Sequence, residues 1–368
     1  MPTSPTPAIT ARIDAARADM ARAGLDAMLI TPGSDLFYLT GYAALPLERL
    51  TCLVLTDGAA ALVVPTLERP AAEEAVDDAL GLDIVDLGET DDVASRIRSL
   101  LDGRMSRVAV DDHMWASRVL WLQDDVGVGR VRLAGEVLAP LREIKDDYEL
   151  GELRRAGEAI DRVHARVPEM LTAGRTEVEV SAAISAAIVD AGHARTDFAI
   201  VAAGPNGASP HHEPGSRVLR DGDAVVVDIG GTLPSGYASD CTRTYVVGHA
   251  DPELQRMYDV LYRSQAAARD HARPGVTCAS VDAAARDVIE QAGYGEFFTH
   301  RTGHGIGLET HEDPYIVDGN ERRVEPGMAF SIEPGIYLPG LFGARIEDIM
   351  ITLPSGCQPV NNQPRTLR

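Results

Sequence analysis

Several apolar β-runs in the C-terminal half of this chain carry an acidic side chain where a core residue is expected. Val225-Val226-Val227-Asp228-Ile229-Gly230 is a strand that reaches a carboxylate. After a turn through Thr232 to Ser235 the chain returns as Gly236-Tyr237-Ala238-Ser239-Asp240-Cys241-Thr242-Arg243-Thr244. Phe330-Ser331-Ile332-Glu333-Pro334-Gly335 and Ala344-Arg345-Ile346-Glu347-Asp348-Ile349 repeat the pattern. A hairpin sets Asp228 and Asp240 near one another, and if both face inward they meet across the ladder. Facing carboxylates repel unless they share a proton or a cation, and burying several without a cation is very costly. Taken singly, Asp228 also suits a turn and Asp240 a pair with Arg243. Taken with His304, which glycines flank in Thr302-Gly303-His304-Gly305-Ile306-Gly307, the set reads as a metal site.

Four carboxylates and one imidazole are a hard, oxygen-rich donor set. That favours Mn²⁺ or a similar divalent ion over thiolate-bound structural zinc. The charge balances two divalent cations, so a bridging hydroxide is a reasonable nucleophile. Two metals a few ångströms apart lower the pKa of such a water and polarise a scissile carbonyl.

Composition narrows the partners. The 56 acidic against 34 basic residues give a net charge of −22, which repels phosphate backbones and anionic lipid headgroups, so neither nucleic acid nor membrane is an expected partner. Cys52, Cys241, Cys278 and Cys357 are far apart and form no C-x-x-C, which argues against a zinc ribbon or redox pair and suits a reducing cytoplasm. Met-Pro-Thr-Ser-Pro-Thr-Pro at the N-terminus reads as a short disordered tail without signal-peptide order. The most apolar stretch, Cys52 to Val64, is interrupted by Thr56-Asp57-Gly58 and spans no bilayer.

Periodicity divides the chain in two. A helix over Ile9 to Ala23 precedes strand-like runs at Ala27 to Ile30, Leu53 to Leu55, Ala61 to Val64, Ile84-Val85 and Val108 to Val110. Helical segments at Leu67 to Ala79 and Asp91 to Leu101 lie between some of them. This alternation predicts an α/β domain over residues 8–140 with a largely parallel or mixed sheet. Residues 146–358 read as an α+β domain. Helices at Asp146 to Thr172 and Glu177 to Ala191 precede strands at Phe198 to Ala203 and Ala224 to Ile229. Helices at Pro252 to Arg273 and Ser280 to Gln291 then precede a Gly-rich, strand-rich end. Two helix-pair-then-strand blocks hint at a diverged duplication. The glycine cluster at Gly303 to Gly307 lacks the strand, helix and downstream acid of a dinucleotide fingerprint.

The runs around Asp228, Asp240, His304, Glu333 and Glu347 resemble those of the pita-bread metallopeptidases, which include methionine aminopeptidase, aminopeptidase P and prolidase. Ser34-Asp35-Leu36-Phe37-Tyr38-Leu39-Thr40-Gly41-Tyr42 is similar to the creatinase-like N-terminal domain of prolidases, aminopeptidase P and creatinases, and Ile144-Lys145-Asp146-Asp147-Tyr148-Glu149-Leu150 to the start of their catalytic domain. The resemblance implies that Asp240 and Glu347 bridge two metals, that Asp228 binds one, and that His304 and Glu333 bind the other. It also implies that Glu333 shuttles the proton of the attacking water, that His211 contacts substrate near the scissile bond, and that His311 hydrogen-bonds the substrate or tetrahedral intermediate. His212 has no assigned role, and Arg345 either pairs with Asp348 or binds the substrate carboxylate in the site. The implied activity is that of a dinuclear-metal Xaa-Pro dipeptidase (prolidase), with Mn²⁺ as the expected ion and Co²⁺ or Zn²⁺ as alternatives. Aminopeptidase P activity on longer peptides, or a non-peptide hydrolase or lyase on the same scaffold, stands as the other reading. The family also implies a homodimer.

Overall fold

A computed structural model describes residues 6–367. The first five residues of the expected N-terminal tail lie outside the described residues, whereas Thr6 and Pro7 open a helix, Thr6–Arg22. The chain forms two compact units that divide between Arg142 and Glu143, inside the helix Gly135–Glu143 and beyond Pro140.

The first unit is built on a six-stranded mixed sheet. Its strands are β1 (Ala27–Ile30), β2 (Cys52–Thr56), β3 (Ala60–Pro65), β4 (Asp83–Leu87), β5 (Arg107–Val110) and β6 (Arg130–Leu133), in the order β4-β3-β2-β1-β5-β6. β1, β2 and β3 are antiparallel neighbours, while β4, β5 and β6 join in parallel. Every residue of β1, β2 and β3 is buried, as their unbroken apolar runs require of strands covered on both faces. β6 alternates arginine with aliphatic residues, so it lacks the apolar run that marks the others; it is an edge strand, where charge is tolerated. The helix expected over Leu67 to Ala79 is a 3₁₀ turn, Thr66–Glu68, then a helix Arg69–Ala75 that restarts at Pro70.

The second unit opens with the helix Asp147–His164, begun by a capping box between Asp146 and Glu149. It stops eight residues short of the expected Thr172, because Pro168 starts a separate turn, Val167–Met170. The next helix, Glu177–Asp190, has its own capping box between Thr176 and Glu179. The pair packs on an antiparallel sheet of β7 (Arg195–Ala203), β8 (Ala224–Thr232) and β9 (Ala238–Val246). Ile160, Val163, Ile184 and Ile188 meet Val225, Val227 and Ile229 in one core. Full burial of each such side chain stabilises by about 1.5–3 kcal/mol. Strand alternation then turns Asp228 to the other face, and a one-residue slip of β8 would drive it into the helices.

A second helix pair, Pro252–His271 and Cys278–Gln291, precedes the remaining strands. β10 (Gly303–Gly305), β11 (Glu312–Ile316), β12 (Ala329–Ile332), β15 (Asp348–Leu353) and β16 (Gly356–Pro359) form one sheet in the order β11-β10-β12-β15-β16. β13 (Gly335–Leu338) and β14 (Phe342–Arg345) form a hairpin of their own. Among the described residues no helix is long and apolar enough to cross a membrane.

The glycines around His304 admit neighbouring strands. A Cβ on Gly303 would lie 1.9 Å from the Ser331 carbonyl oxygen, and one on Gly305 would lie 2.2 Å from that of Asp313. Gly303→Ala is expected to lower stability by about 1–3 kcal/mol or more, as overpacking does. Gly151, in the helix Asp147–His164, has open space around its missing Cβ. Gly151→Ala is expected to raise stability by roughly 0.5–1 kcal/mol. Thermal or denaturant unfolding of the two variants should show these opposite signs.

Candidate metal centre

Asp228 and Asp240 reach the same face of the β8–β9 hairpin on a diagonal. Asp228 stands opposite Thr242 and Asp240 opposite Gly230, so the two acids are diagonal rather than direct partners. Cys241 joins the helix-packed core, while Asp240 and Thr242 turn to the site.

Glu333 and Glu347 stand where the chain passes between sheets. Ile332 and Asp348 are the last paired residues of the larger sheet, and Gly335 and Arg345 the first of the hairpin. Pro334 has no N–H to continue the ladder. The freed backbone bonds elsewhere: Glu333 N donates to Thr302 O at 2.8 Å, and Glu347 N donates to Thr242 O of β9 at 3.1 Å. The two glutamates therefore interrupt strands at a shared break instead of sitting within them. His304, in β10, completes the set.

Donor atoms of Asp240, His304 and Glu347 all lie within 4.8 Å of one another, and these residues are 4%, 3% and 1% exposed. His304 Nδ1 donates to Gly305 O at 3.0 Å, which leaves Nε2 facing the acids, 3.1 Å from Glu333 and 3.6 Å from Asp240. Ser331 Oγ donates to Glu333 at 2.8 Å and accepts from His304 N at 2.9 Å, tying the Glu333 carboxylate to the His304 backbone. Thr242 Oγ1 donates to Glu347 Oε2 at 2.8 Å.

Arg345 faces this cluster and not Asp348. It donates to Asp228 Oδ2, to Thr242 Oγ1 at 3.2 Å and to the Tyr337 hydroxyl at 2.8 Å. Tyr337 in turn bonds His300 Nε2 at 2.8 Å. Asp348 is held from behind by Arg243, Gln265 and Arg365, so the alternative pairing of Asp240 with Arg243 does not occur.

Asp228 Oδ1 and Glu347 Oε1 are buried with no hydrogen-bond partner. Buried carboxylate oxygens without donors are costly, and a cation answers that cost for both. The residues present therefore fit a divalent metal. Without one, burial and the neighbouring carboxylates push Asp240 and Glu347 well above the ordinary carboxylate range. Burial also disfavours charge on Glu333 and His304. Their mutual contact outweighs it, holding Glu333 down at about 2 and raising His304 to about 9.

A cavity of about 500 Å³ opens over these groups, a size that suits a small ligand. Phe198 and Ile200 of β7 and Pro210 form its apolar wall. His211, His300, Arg301 and His311 line it together with the five ligand-type residues and Arg345. The His311 ring lies 4.1 Å from that of His304, and burial with that neighbour's charge lowers its pKa to about 4. His212 does not line the cavity and bonds Glu177 at 2.9 Å.

Thr242, Ser331, Tyr337, His300 and Arg301 escape a reading of the sequence. Thr242 and Ser331 each lie two residues from a carboxylate of the cluster, and that strand spacing is the one local signal that could have found them. The others are brought in by tertiary structure alone.

Metal-free protein should lose stability as pH rises from about 6.5 to about 9. His304 binds its proton more tightly when folded, so its contribution is full below its ordinary 6.5 and is lost as pH passes about 9. The raised Asp240 and Glu347 act in the same sense, whereas the depressed Glu333 contributes constantly in this window. Calorimetry of chelator-treated protein should show Tm falling across that range, and added Mn²⁺ should flatten the profile.

The family model described as metallopeptidase family M24 matches residues 151–353, and that of the creatinase/prolidase N-terminal domain matches residues 12–144. The probable dipeptidase PepE of Mycobacterium tuberculosis is 53% identical over 357 residues, covering 97% of this chain and 95% of that protein. The Xaa-Pro dipeptidase of Lactobacillus delbrueckii is 35% identical, covering 94% and 95%. The crystal structure of dipeptidase PepE from Mycobacterium ulcerans superposes with a TM-score of 0.93 at 50% identity, covering 99% of this chain and 98% of that one. Prolidase from Pyrococcus horikoshii gives 0.89 at 29% identity, covering 97% and 100%. With a creatinase-like α/β domain, a pita-bread α+β domain and a buried carboxylate–histidine cluster that fits a metal, the chain belongs to the M24 metallopeptidases.

Proposed function

We propose that this metallopeptidase is a dinuclear-metal Xaa-Pro dipeptidase that hydrolyses the peptide bond before proline. The observation that carries the reading is the convergence of five ligand-type side chains on one cavity, with Asp228 Oδ1 and Glu347 Oε1 buried and unpartnered. In this reading Asp240 and Glu347 would hold both of two divalent ions, Asp228 would hold one, and His304 and Glu333 would hold the other. The donor set favours Mn²⁺, with Co²⁺ or Zn²⁺ as substitutes. When bound, such ions supply an activated water and polarise the tertiary amide before proline, which resists other peptidases.

The chain's own groups do the rest. Glu333, braced by Ser331, takes the proton of the attacking water and returns it to the leaving nitrogen. His311, with its lowered pKa, is neutral at pH 7 and offers an N–H to the developing oxyanion. His211 contacts the substrate beside the scissile bond. Arg345 is committed to Asp228, Thr242 and Tyr337, so its role is to hold Asp228 and shape the wall rather than to bind substrate. The names of the dipeptidase relatives and the modest cavity support a short substrate. All four cysteines are free, which supports a cytoplasmic location, and the family resemblance supports a homodimer.

With Mn²⁺ present, Xaa-Pro dipeptides should be cleaved in preference to Xaa-Pro-Yaa peptides. Preference for the longer peptide would identify an aminopeptidase P, and cleavage of neither would defeat the peptidase reading. Asp240→Ala or Glu347→Ala should lose metal and nearly all activity, as metal analysis and kinetics would show. His311→Ala should retain metal and lower kcat by roughly 10²–10³-fold, the cost of removing an oxyanion donor.

A further inference from the structure

His211 and His311 come to the cavity from segments outside the β-ladders, and in each case the next residue is locked to a buried partner. His212 Nε2 lies 2.9 Å from Oε2 of Glu177, whose side chain is fully buried and does not line the cavity. Glu177 gathers the whole segment from Ala203 to Gly215. Its Oε1 accepts from Ala203 N at 2.8 Å and from Asn206 Nδ2 at 3.0 Å, and its Oε2 accepts from Gly215 N at 3.2 Å. On the cavity side, Arg345 Nη1 donates to Pro210 O at 3.4 Å.

Glu312, directly after His311, pairs at 2.5 Å with Lys145, a fully buried cation whose backbone N–H donates to Gly327 O at 2.9 Å. A buried ion pair adds little net stability, because desolvation offsets attraction. It does hold geometry, since any shift leaves a buried charge poorly satisfied. The same holds for a buried carboxylate that gathers several donors.

We propose that the His212–Glu177 and Lys145–Glu312 contacts are positioning devices that aim His211 and His311 at the substrate, touching neither substrate nor metal themselves. The inference rests on the proposed peptidase reading and gives His212 the role that its sequence context leaves open. Misplacement of a reacting group by about 1 Å can cost roughly 10²-fold in rate. The contacts should therefore appear in kcat and leave substrate affinity and metal retention unchanged.

The test is steady-state kinetics of the Mn²⁺-loaded enzyme on an Xaa-Pro dipeptide, with metal content and Tm measured on the same samples. His212→Ala should lower kcat ten-fold or more, with KM within about two-fold and metal content unchanged, as expected for lost orientation. His212→Gln, which keeps an N–H donor, should recover most of the loss. The double variant Lys145→Met/Glu312→Gln removes the second pair without leaving a buried charge, and should lower kcat in the same way. In parallel, NMR of ¹³C-labelled histidine rings should show His211 loosened in the first variant and His311 in the double variant. Wild-type kcat and wild-type ring signals in these variants would overturn the proposal. So would a loss confined to Tm or metal content. An inactive wild-type enzyme would instead defeat the peptidase reading, and the ring signals would still decide the positioning role.

Discussion

The site depends on a concentration of buried negative charge that the protein alone only partly neutralises. Asp228, Asp240, Glu333 and Glu347 line one cavity with His304, and Arg345, 2% exposed, is the fixed cation among them. Arg345 satisfies one oxygen of Asp228, and His304 faces Glu333 and Asp240. Asp228 Oδ1 and Glu347 Oε1 are left without a donor. At interior dielectric, that arrangement either takes up protons or takes up cations. The raised Asp240 and Glu347 express the first option, and the hard, oxygen-rich donor set expresses the second.

The backbone brings the charges together by two ordinary devices. In β8 and β9 the two-residue period sends aliphatic side chains to the helices, Asp228 and Asp240 to the cavity and Thr242 to the Glu347 carboxylate. At the β12–β13 junction Pro334 ends the ladder, and Glu333 beside it and Glu347 at the facing β14–β15 junction carry the carboxylates. The glycines at 303 and 305 let the neighbouring strands approach the His304 backbone. Ser331, Thr242 and Tyr337 then fix the orientations of the Glu333 and Glu347 carboxylates and of Arg345 with hydrogen bonds that a packed interior keeps in place.

Much of this was legible in the sequence. An acid inside an apolar run is conspicuous because the core around it is regular, so Asp228, Asp240, Glu333 and Glu347 stand out, and apolar runs mark β1, β2, β3 and β5. The diagonal offset of Asp228 and Asp240 was not legible, because register follows from the length of the 233–237 turn and from packing. The sequence does not choose for Arg345 between Asp348 and the site for a similar reason: Arg243, Gln265 and Arg365 reach Asp348 from distant parts of the chain. β6 is silent in the sequence because a charged edge strand carries no apolar signature, and the helix after Asp146 ends before its apolar periodicity does because Pro168 starts a separate turn. His212 shows the limit most clearly, since its partner Glu177 is thirty-five residues away.

The central claim, that this carboxylate cluster is completed by two divalent cations, is tested most directly by calorimetric titration of Mn²⁺ into chelator-treated protein. Performed at neutral pH in two buffers of different ionisation enthalpy, it reads stoichiometry and proton release together. The account predicts two ions per chain, with protons displaced from the cluster as they bind. Binding of fewer than two ions, or binding that releases no proton, would contradict it.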